Sequence, residues 1–489
     1  MTSAPFLRLS HELMGEINHY LTSEDRYELC LVNKMLKENF KGFLVTSISL
    51  RTHSQINELY RIMSEEPQLL LRTKELYASY GFLGLHPIRN VLQCCENLTM
   101  LKLDNTRYII TWPDQATRKF EDYPVLPNLI ELDISCDGLL SIENLMSLFS
   151  KFAKLESLKL WKLTRPFSPA QVESLHGVLP YLQELHLDYI LSEDEIIPAN
   201  PIPDIPCVFM KKITLAVEGS WNNAVPWIRY IARKYPNLEN LNIAGNVDYY
   251  ATRYVRFNSD AVHLPSAVRL LLDNCRNLSS VRLDNIWWTK IFLRHYLEEE
   301  QRHSSSLEKV EIVNLRDGVH RVVFDLLSRS VMPLIKALDI TLSTEIIKDP
   351  VFLSNGLSSG SMLTDLQISL PRYCCCQSLI VSIHWILESC SSLLSLSLDT
   401  CFLGIVNDSL TGLPPSTAQS HHLERLAITN CTVKNEIWSY IENKCPKLNW
   451  LSIDKSTLPN GRSPYSFIQH KFQNHVFKSI TINQVFHYP

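Results

Sequence analysis

Five aspartates recur at one kind of position in this chain. Asp104, Asp188, Asp284, Asp399 and Asp454 each follow directly on the last apolar residue of a short alternating run. In register along a fold they would form an acidic element, a seat for a basic partner segment; the plainer alternative is a solvated face. Trp161, Trp287, Trp288 and Trp450 fall in or just after the same runs. Aromatic side chains are enriched at interface hot spots, although Trp287 or Trp288 could equally be core. Asp104, Trp161, Asp188, Asp284, Asp399, Trp450 and Asp454 are therefore the candidate partner-binding residues.

Other reactive residue types point nowhere specific. The 13 cysteines contain no pair of CxxC motifs, so a zinc site is unsupported, and the one cluster, Cys374-Cys375-Cys376, reads as buried or loop thiols. Free cysteine packs as a small hydrophobe and suits a reducing compartment. There is no glycine-rich phosphate loop or HExxH. With 16 His among 51 acidic residues, chance His/Asp neighbours are certain. No catalytic residue, metal or cofactor is expected. The net charge of −4 comes with no basic patch, so no nucleic-acid partner is expected. The opening MTSAPFLRLSHEL has no signal-peptide core, and no apolar stretch is long enough to span a membrane. The expected location is the cytoplasm or nucleus, where the Asn-x-Ser/Thr sites at Asn97, Asn277, Asn407 and Asn430 stay unmodified.

The elements that must position these residues repeat. A phrase of Leu, two residues, Leu or Ile, one residue, Leu or Ile returns as NLTMLKL (97–103), NLIELDI (128–134), KLESLKL (154–160), NLENLNI (237–243) and HLERLAI (422–428). Its middle apolar residues run from Ile48 through Leu76, Leu101 and onward to Ile480, 25 to 31 residues apart except for one step of 40. Alternate leucines give a short strand with one buried face. Between strands, VPWIRYIARKYPNL (225–238) and SLIVSIHWILESCSSL (378–393) carry helical spacing. A unit this small cannot bury its apolar face alone, so neighbours must stack. The period resembles that of the leucine-rich repeats over about residues 45–483. Cys95, Cys275, Cys390 and Cys445, each three residues before a strand's first Leu, resemble the cysteine-containing subclass common in ubiquitin-ligase receptors. Asn246, Cys401 and Cys431 match that family's Asn/Cys slot. The expected fold is α/β: about 16 irregular repeats over residues 45–489 forming a horseshoe, with a parallel inner sheet and outer helices. The long step holds an insertion near residues 246–263, and residues 198–206 and 411–420 read as loops.

Residues 1–44 break the pattern and read as a separate small helical domain. Leu13, Ile17, Tyr20 and Leu21 mark one helical stripe, and Leu29, Val32 and Leu36 a second, with Ser10 and Ser23 as caps. The stretch resembles the F-box: Leu9, Glu12-Leu13, Ile17 and Leu21, then Asp25, Leu29, Leu31-Val32 and Lys34, match its positions. Ser10, Arg26, Asn33 and Leu36 depart from its usual Pro, Leu, Cys and Trp or Phe. The resemblance implies a non-catalytic substrate receptor of an SCF-type cullin–RING ubiquitin ligase. Leu9, Leu13, Ile17, Leu21, Leu29 and Val32 would hold the adaptor and, through it, the cullin, and the repeats would hold the target protein. A non-ligase F-box scaffold, or a repeat protein whose N-terminus is only a cap, remain as alternatives.

Overall fold

A five-residue strand with alternate leucines holds only if neighbouring strands pair its backbone groups and a second layer covers its leucines. The computed structural model describes residues 11–21, 23–32, 34, 36–37, 45–79, 87–104, 124–136, 142–163, 166–190, 205–218, 225–246, 263–284, 288–300, 307–313, 320–330, 335–370, 380–405, 420–459, 472, 476–484 and 486–488. The chain divides into two compact units, Met1–Leu191 with Pro198–Glu218, and Ser192–Ile197 with Gly219–Pro489.

In the first unit, β1 (Ser47–Leu50), β2 (Glu75–Ser79), β3 (Met100–Asp104), β4 (Glu131–Ser135), β5 (Ser157–Trp161), β6 (Glu184–Leu187) and β7 (Lys212–Glu218) lie in chain order as parallel neighbours. The marked residues pair in one column: Ile48, Leu76, Leu101, Leu132, Leu158, Leu185 and Ile213. The helices His11–His19 and Ser23–Val32 belong to this unit. Helices His53–Glu65 and Pro169–Val178 open with capping boxes, Thr52 with Gln55 and Ser168 with Gln171, which satisfy N–H groups that a helix leaves unpaired at its start.

The second unit contains β8 (Asn240–Asn246), β9 (Ser280–Asp284), β10 (Lys309–Val313), β11 (Ala337–Thr341), β12 (Asp365–Ser369), β13 (Ile380–Ser382), β14 (Ser395–Asp399), β15 (Phe402–Gly404), β16 (Arg425–Thr429), β17 (Thr432–Val433), β18 (Trp450–Asp454), β19 (Thr457–Pro459), β20 (Ser479–Asn483) and β21 (Phe486–Tyr488). β8 to β12, then β14, β16, β18 and β20, are parallel neighbours, with Leu241, Val281, Val310, Leu338, Leu366, Leu396, Leu426, Leu451 and Ile480 as successive partners. β13, β15, β17, β19 and β21 form a second parallel sheet that the sequence did not announce. The segment read as one helix over 378–393 is instead β13 followed by the short helix Ile383–Ser389.

Helix Val225–Lys234 buries Trp227, Ile228 and Ile231, and Tyr235 just beyond it, as the spacing required. The core leucines of interior strands are almost wholly buried, while Ile48 and Ile480, in the first and last strands, are only half-buried. A repeat at the end of a stack has a neighbour on one side only. Among the described residues no helix is long and apolar enough to cross a membrane.

The turns after the strands share one device. Lys162, Thr400, Asn430, Lys455 and Gln484, each two residues past the last core residue, have φ of 54, 58, 51, 47 and 45°. The next residue in three of these turns, Cys401, Cys431 or Ser456, points inward and joins a ladder. Cys401 N–H donates to Cys431 Sγ (3.4 Å), and Cys431 N–H donates to Ser456 Oγ (3.1 Å). The Cys431 thiol donates to Thr429 O (3.1 Å), and the Ser456 hydroxyl to Asp454 O (2.8 Å). Buried backbone groups that the sharp turn would orphan are thereby paired.

Candidate functional site

Short amphipathic helices need a surface to pack on. In helix His11–His19, Met14 is buried, Ile17 is half-buried, and Leu13 is 53% exposed. Tyr20, read as part of the stripe, faces solvent, and Leu21 is half-buried. In helix Ser23–Val32, Leu29 is half-buried while Leu31 and Val32 are 62% and 66% exposed; Leu36 beyond it is buried. The anticipated stripes are thus split. Met14 and Leu36 point into the protein, and Leu13, Leu31 and Val32 remain outside. Leu9 and Ser10 lie outside the described residues, as does the side chain of Ser23.

Side chains between the core positions of each strand form the open face of the sheet. On β4 to β6 the acids of this face have cations beside them. Lys102 pairs with Asp133 at 3.2 Å, Lys159 with Glu131 at 2.6 Å, and Lys212 approaches Glu184 at 3.6 Å. The Trp161 indole, 39% exposed, donates through Nε1 to Asp133 Oδ1 at 2.7 Å and lies on His186 with ring centroids 3.8 Å apart. Burial pushes His186 down to about 4; Lys159 and Lys212 add to this and Asp133 opposes it, so the ring under Trp161 is neutral at physiological pH. Arg51 and Lys102 sit over the Tyr77 ring at 5.4 and 5.7 Å. Asp188 turns to the backbone: its carboxylate accepts the N–H groups of Lys162 and Leu163, the latter at 3.1 Å. Asp104, at the end of β3, is exposed.

In the second unit, Arg282, Glu311 and Asp339 are consecutive register partners across β9, β10 and β11. Arg282 pairs with Glu311 at 2.9 Å and Asp284 at 3.3 Å, and Lys309 also pairs with Glu311. Burial opposes ionisation of Glu311, but Lys309 and Arg282 outweigh it and hold the carboxyl below its ordinary value. Asp339 has no ion pair among the described residues. Burial first, then the neighbouring Glu311, push its carboxyl up to about 6, against the pull of Arg282 and Lys309. Asp399 Oδ1 accepts from Asn430 Nδ2 (2.9 Å) and Thr400 Oγ1 (3.1 Å), and Asp454 is half-buried. Trp450 is half-buried beside its register partner Arg425. Trp288 is core, and Trp287 lies outside the described residues.

The sequence reading missed Glu311 and Asp339. Writing the repeats beneath one another places both in the column of Arg282, a signal available without coordinates. Residues 247–262 of the insertion near 246–263, residues 411–419 of the segment 411–420, and Cys374 to Cys376 lie outside the described residues.

The helix-end thiols are buried. Burial pushes Cys275, Cys390 and Cys445 up to about 12 and Cys95 up to about 11, so none is a thiolate near neutrality. Cys275 Sγ instead donates to Tyr235 O of the preceding repeat at 3.4 Å. Among the described residues no three His, Cys, Asp or Glu side chains are grouped to hold a metal ion.

Period, register and turn ladder together define a leucine-rich-repeat α/β fold. No protein-family model matches the chain, and no curated protein matches it. Similar solved structures include the complex of TLR13 with ssRNA13, at 13% identity over 87% of this chain and 68% of that one, with a TM-score of 0.40. The leucine-rich-repeat-containing protein LegL7 from Legionella pneumophila is 11% identical over 66% and 90% of the two chains, with a TM-score of 0.36. The Rad7 and Elc1 complex in yeast is 14% identical over 85% and 98%, with a TM-score of 0.39. These likenesses concern the repeat fold and carry nothing about partners.

Proposed function

We propose that the chain is a substrate-recognition subunit of an SCF-type cullin–RING ubiquitin ligase. Its two opening helices dock on the adaptor and so reach the cullin, and an open sheet face holds the protein to be ubiquitylated. The observation that carries this reading is the outward placement of Leu13, Leu31 and Val32 on two short helices placed before the repeats. Leu13 and Val32 are also positions where the sequence resembles the F-box. Removing a large apolar side chain from water contributes up to about 1.5–3 kcal/mol, so three together can seat a protein partner. The ligase chemistry would belong to other subunits, and none of this chain's residues is assigned a catalytic role.

The test is co-precipitation of adaptor and cullin with the full chain and with a Leu13→Asp/Val32→Asp variant. Recovery with the parent and loss with a folded variant is the expected result. Adaptor without cullin would leave a non-ligase scaffold. The buried Met14 and Leu36 favour one other reading, in which the helices only cap the repeats. Under that reading the parent recovers no adaptor.

A further inference from the structure

We propose that the open face of β11, β12, β14, β16 and β18 docks an extended basic segment of the partner protein, with Asp339 as its anchor. The inference rests on the receptor reading only for the claim that this face meets a protein; its residues lie far along the chain from the adaptor helices.

The carboxylates on β4 to β6 and those on β11 to β18 stand in different surroundings; Asp104 on β3 is exposed, with no ion pair among the described residues, and Asp284 and Glu311 on β9 and β10 are paired. On the open face of β4 to β6, Asp133 and Glu131 are ion-paired, Glu184 has Lys212 nearby, and Asp188 is bonded to backbone N–H groups. On β11 to β18 the open positions carry Asp339, Asp365, Asp399 and Asp454 against a single cation, Arg425. None of those four acids makes an ion pair among the described residues. Asp339 stands beside its register partner Glu311, and like charges directly across strands repel. The cations within reach are already used, since Arg282 and Lys309 both bond Glu311. A half-buried carboxylate placed next to another, with no cation of its own, lacks one positive charge for its site to close.

The surrounding surface admits a chain. The middle positions after Asp339 are Gln367, Ser397, Ala427 and Ser452, mostly small side chains over which a backbone can lie close to the sheet. Asp399 and Asp454 share one register column two strands apart, about 10 Å, and Asp339 lies two strands before Asp399 and two residues back along the strand, about 12 Å away. An extended chain covers about 10 Å in three residues. A segment that crosses the strands obliquely, with long basic side chains three to four residues apart, therefore reaches each carboxylate in turn. A nucleic acid or an acidic peptide would be repelled.

The probe is a fluorescent peptide of repeated Arg-Gly-Ser triplets, titrated with the full chain by anisotropy at low and physiological salt. The variant Asp339→Asn/Asp399→Asn/Asp454→Asn should bind about ten-fold more weakly at low salt, with a flatter salt dependence. Asp325→Asn, which removes a carboxylate from the helical side of the same unit, should bind as the parent does. Unaltered affinity in the triple variant overturns the proposal, as does an equal loss in Asp325→Asn or equal binding of a Glu-Gly-Ser peptide. Asp339→Asn alone, a folded control, should still bind about three-fold more weakly. Adaptor recovery is scored on the same variants. Normal recovery with unaltered peptide affinity sinks the basic-segment proposal alone. No recovery, together with the expected loss of peptide affinity, sinks the receptor reading alone.

Discussion

Replacing Asp339 with asparagine should make the fold more stable at neutral pH and not at acid pH. The carboxyl stands at about 6 in the folded chain against an ordinary 3.8. A folded value above the unfolded one means that the native state holds the proton more tightly. The contribution of this group to stability is fully present below about pH 4 and is lost as pH rises through about 6. A displacement of about two pH units corresponds to a ceiling of about 3 kcal/mol. Asp339 is partly solvated and its charge is screened, so about 1 kcal/mol is the expected size. Asn keeps the shape and removes the charge facing Glu311 and Lys309 on β10, Arg282 and Asp284 on β9, and Asp365 and Gln367 on β12. Urea unfolding at about pH 7.5 should show a midpoint raised by about 0.3 M, and at about pH 4 little change. A variant less stable than the parent at pH 7.5, or equally stabilised at both, would refute the account of an uncompensated charge.

The turn ladder predicts that Cys431→Ser is tolerated, because Ser456 makes the same bonds one repeat further on, whereas Cys431→Val leaves the Cys401 N–H unpaired and costs about 1–3 kcal/mol by denaturant unfolding. Leu241→Asp puts an unpaired charge among core residues of the second unit and should yield no soluble folded protein; a normal cooperative melt would count against the core assignment. Thiol labelling at neutral pH should leave Cys275, Cys390 and Cys445 unmodified in the native chain and reach them only after denaturant is added; rapid native labelling at those three would contradict their burial.

The register was legible because one chemical fact, a buried Leu at a fixed point of each repeat, sets it. Every marked residue, including the weak Leu76, pairs with the next within its unit. The second sheet was not legible, since strands of two or three residues such as β15 and β17 are too short to show a period. Site reading fared unevenly for a related reason. Sequence places a residue on a face but not beside its partner. Asp188 carried the same local signature as Asp284, yet it bonds backbone while Asp284 meets Arg282. Glu311 and Asp339 sit mid-strand, where no rule about the end of the apolar phrase selects them. The split of the N-terminal stripes reflects marginal helices whose inward face is decided by what they pack on.

An anchor that titrates near 6 ties recognition to pH. A cation arriving at Asp339 favours the charged carboxylate and returns its pKa toward the ordinary 3.8. Binding then releases a proton between about pH 4 and 6, so affinity for a basic segment rises with pH across that window and levels off above it. The same contact offsets the burial and the Glu311 repulsion that weaken the free fold at neutral pH. The local strain is bearable because stability in a repeat array passes between neighbours, and β11 is held on both sides, by its register with β10 and by the Thr341–Ser369 hydroxyl contact of 3.0 Å to β12. Stability lost in the free chain and affinity gained in the complex are thus two faces of one unpaired charge, and a substitution that restores the first must forfeit the second.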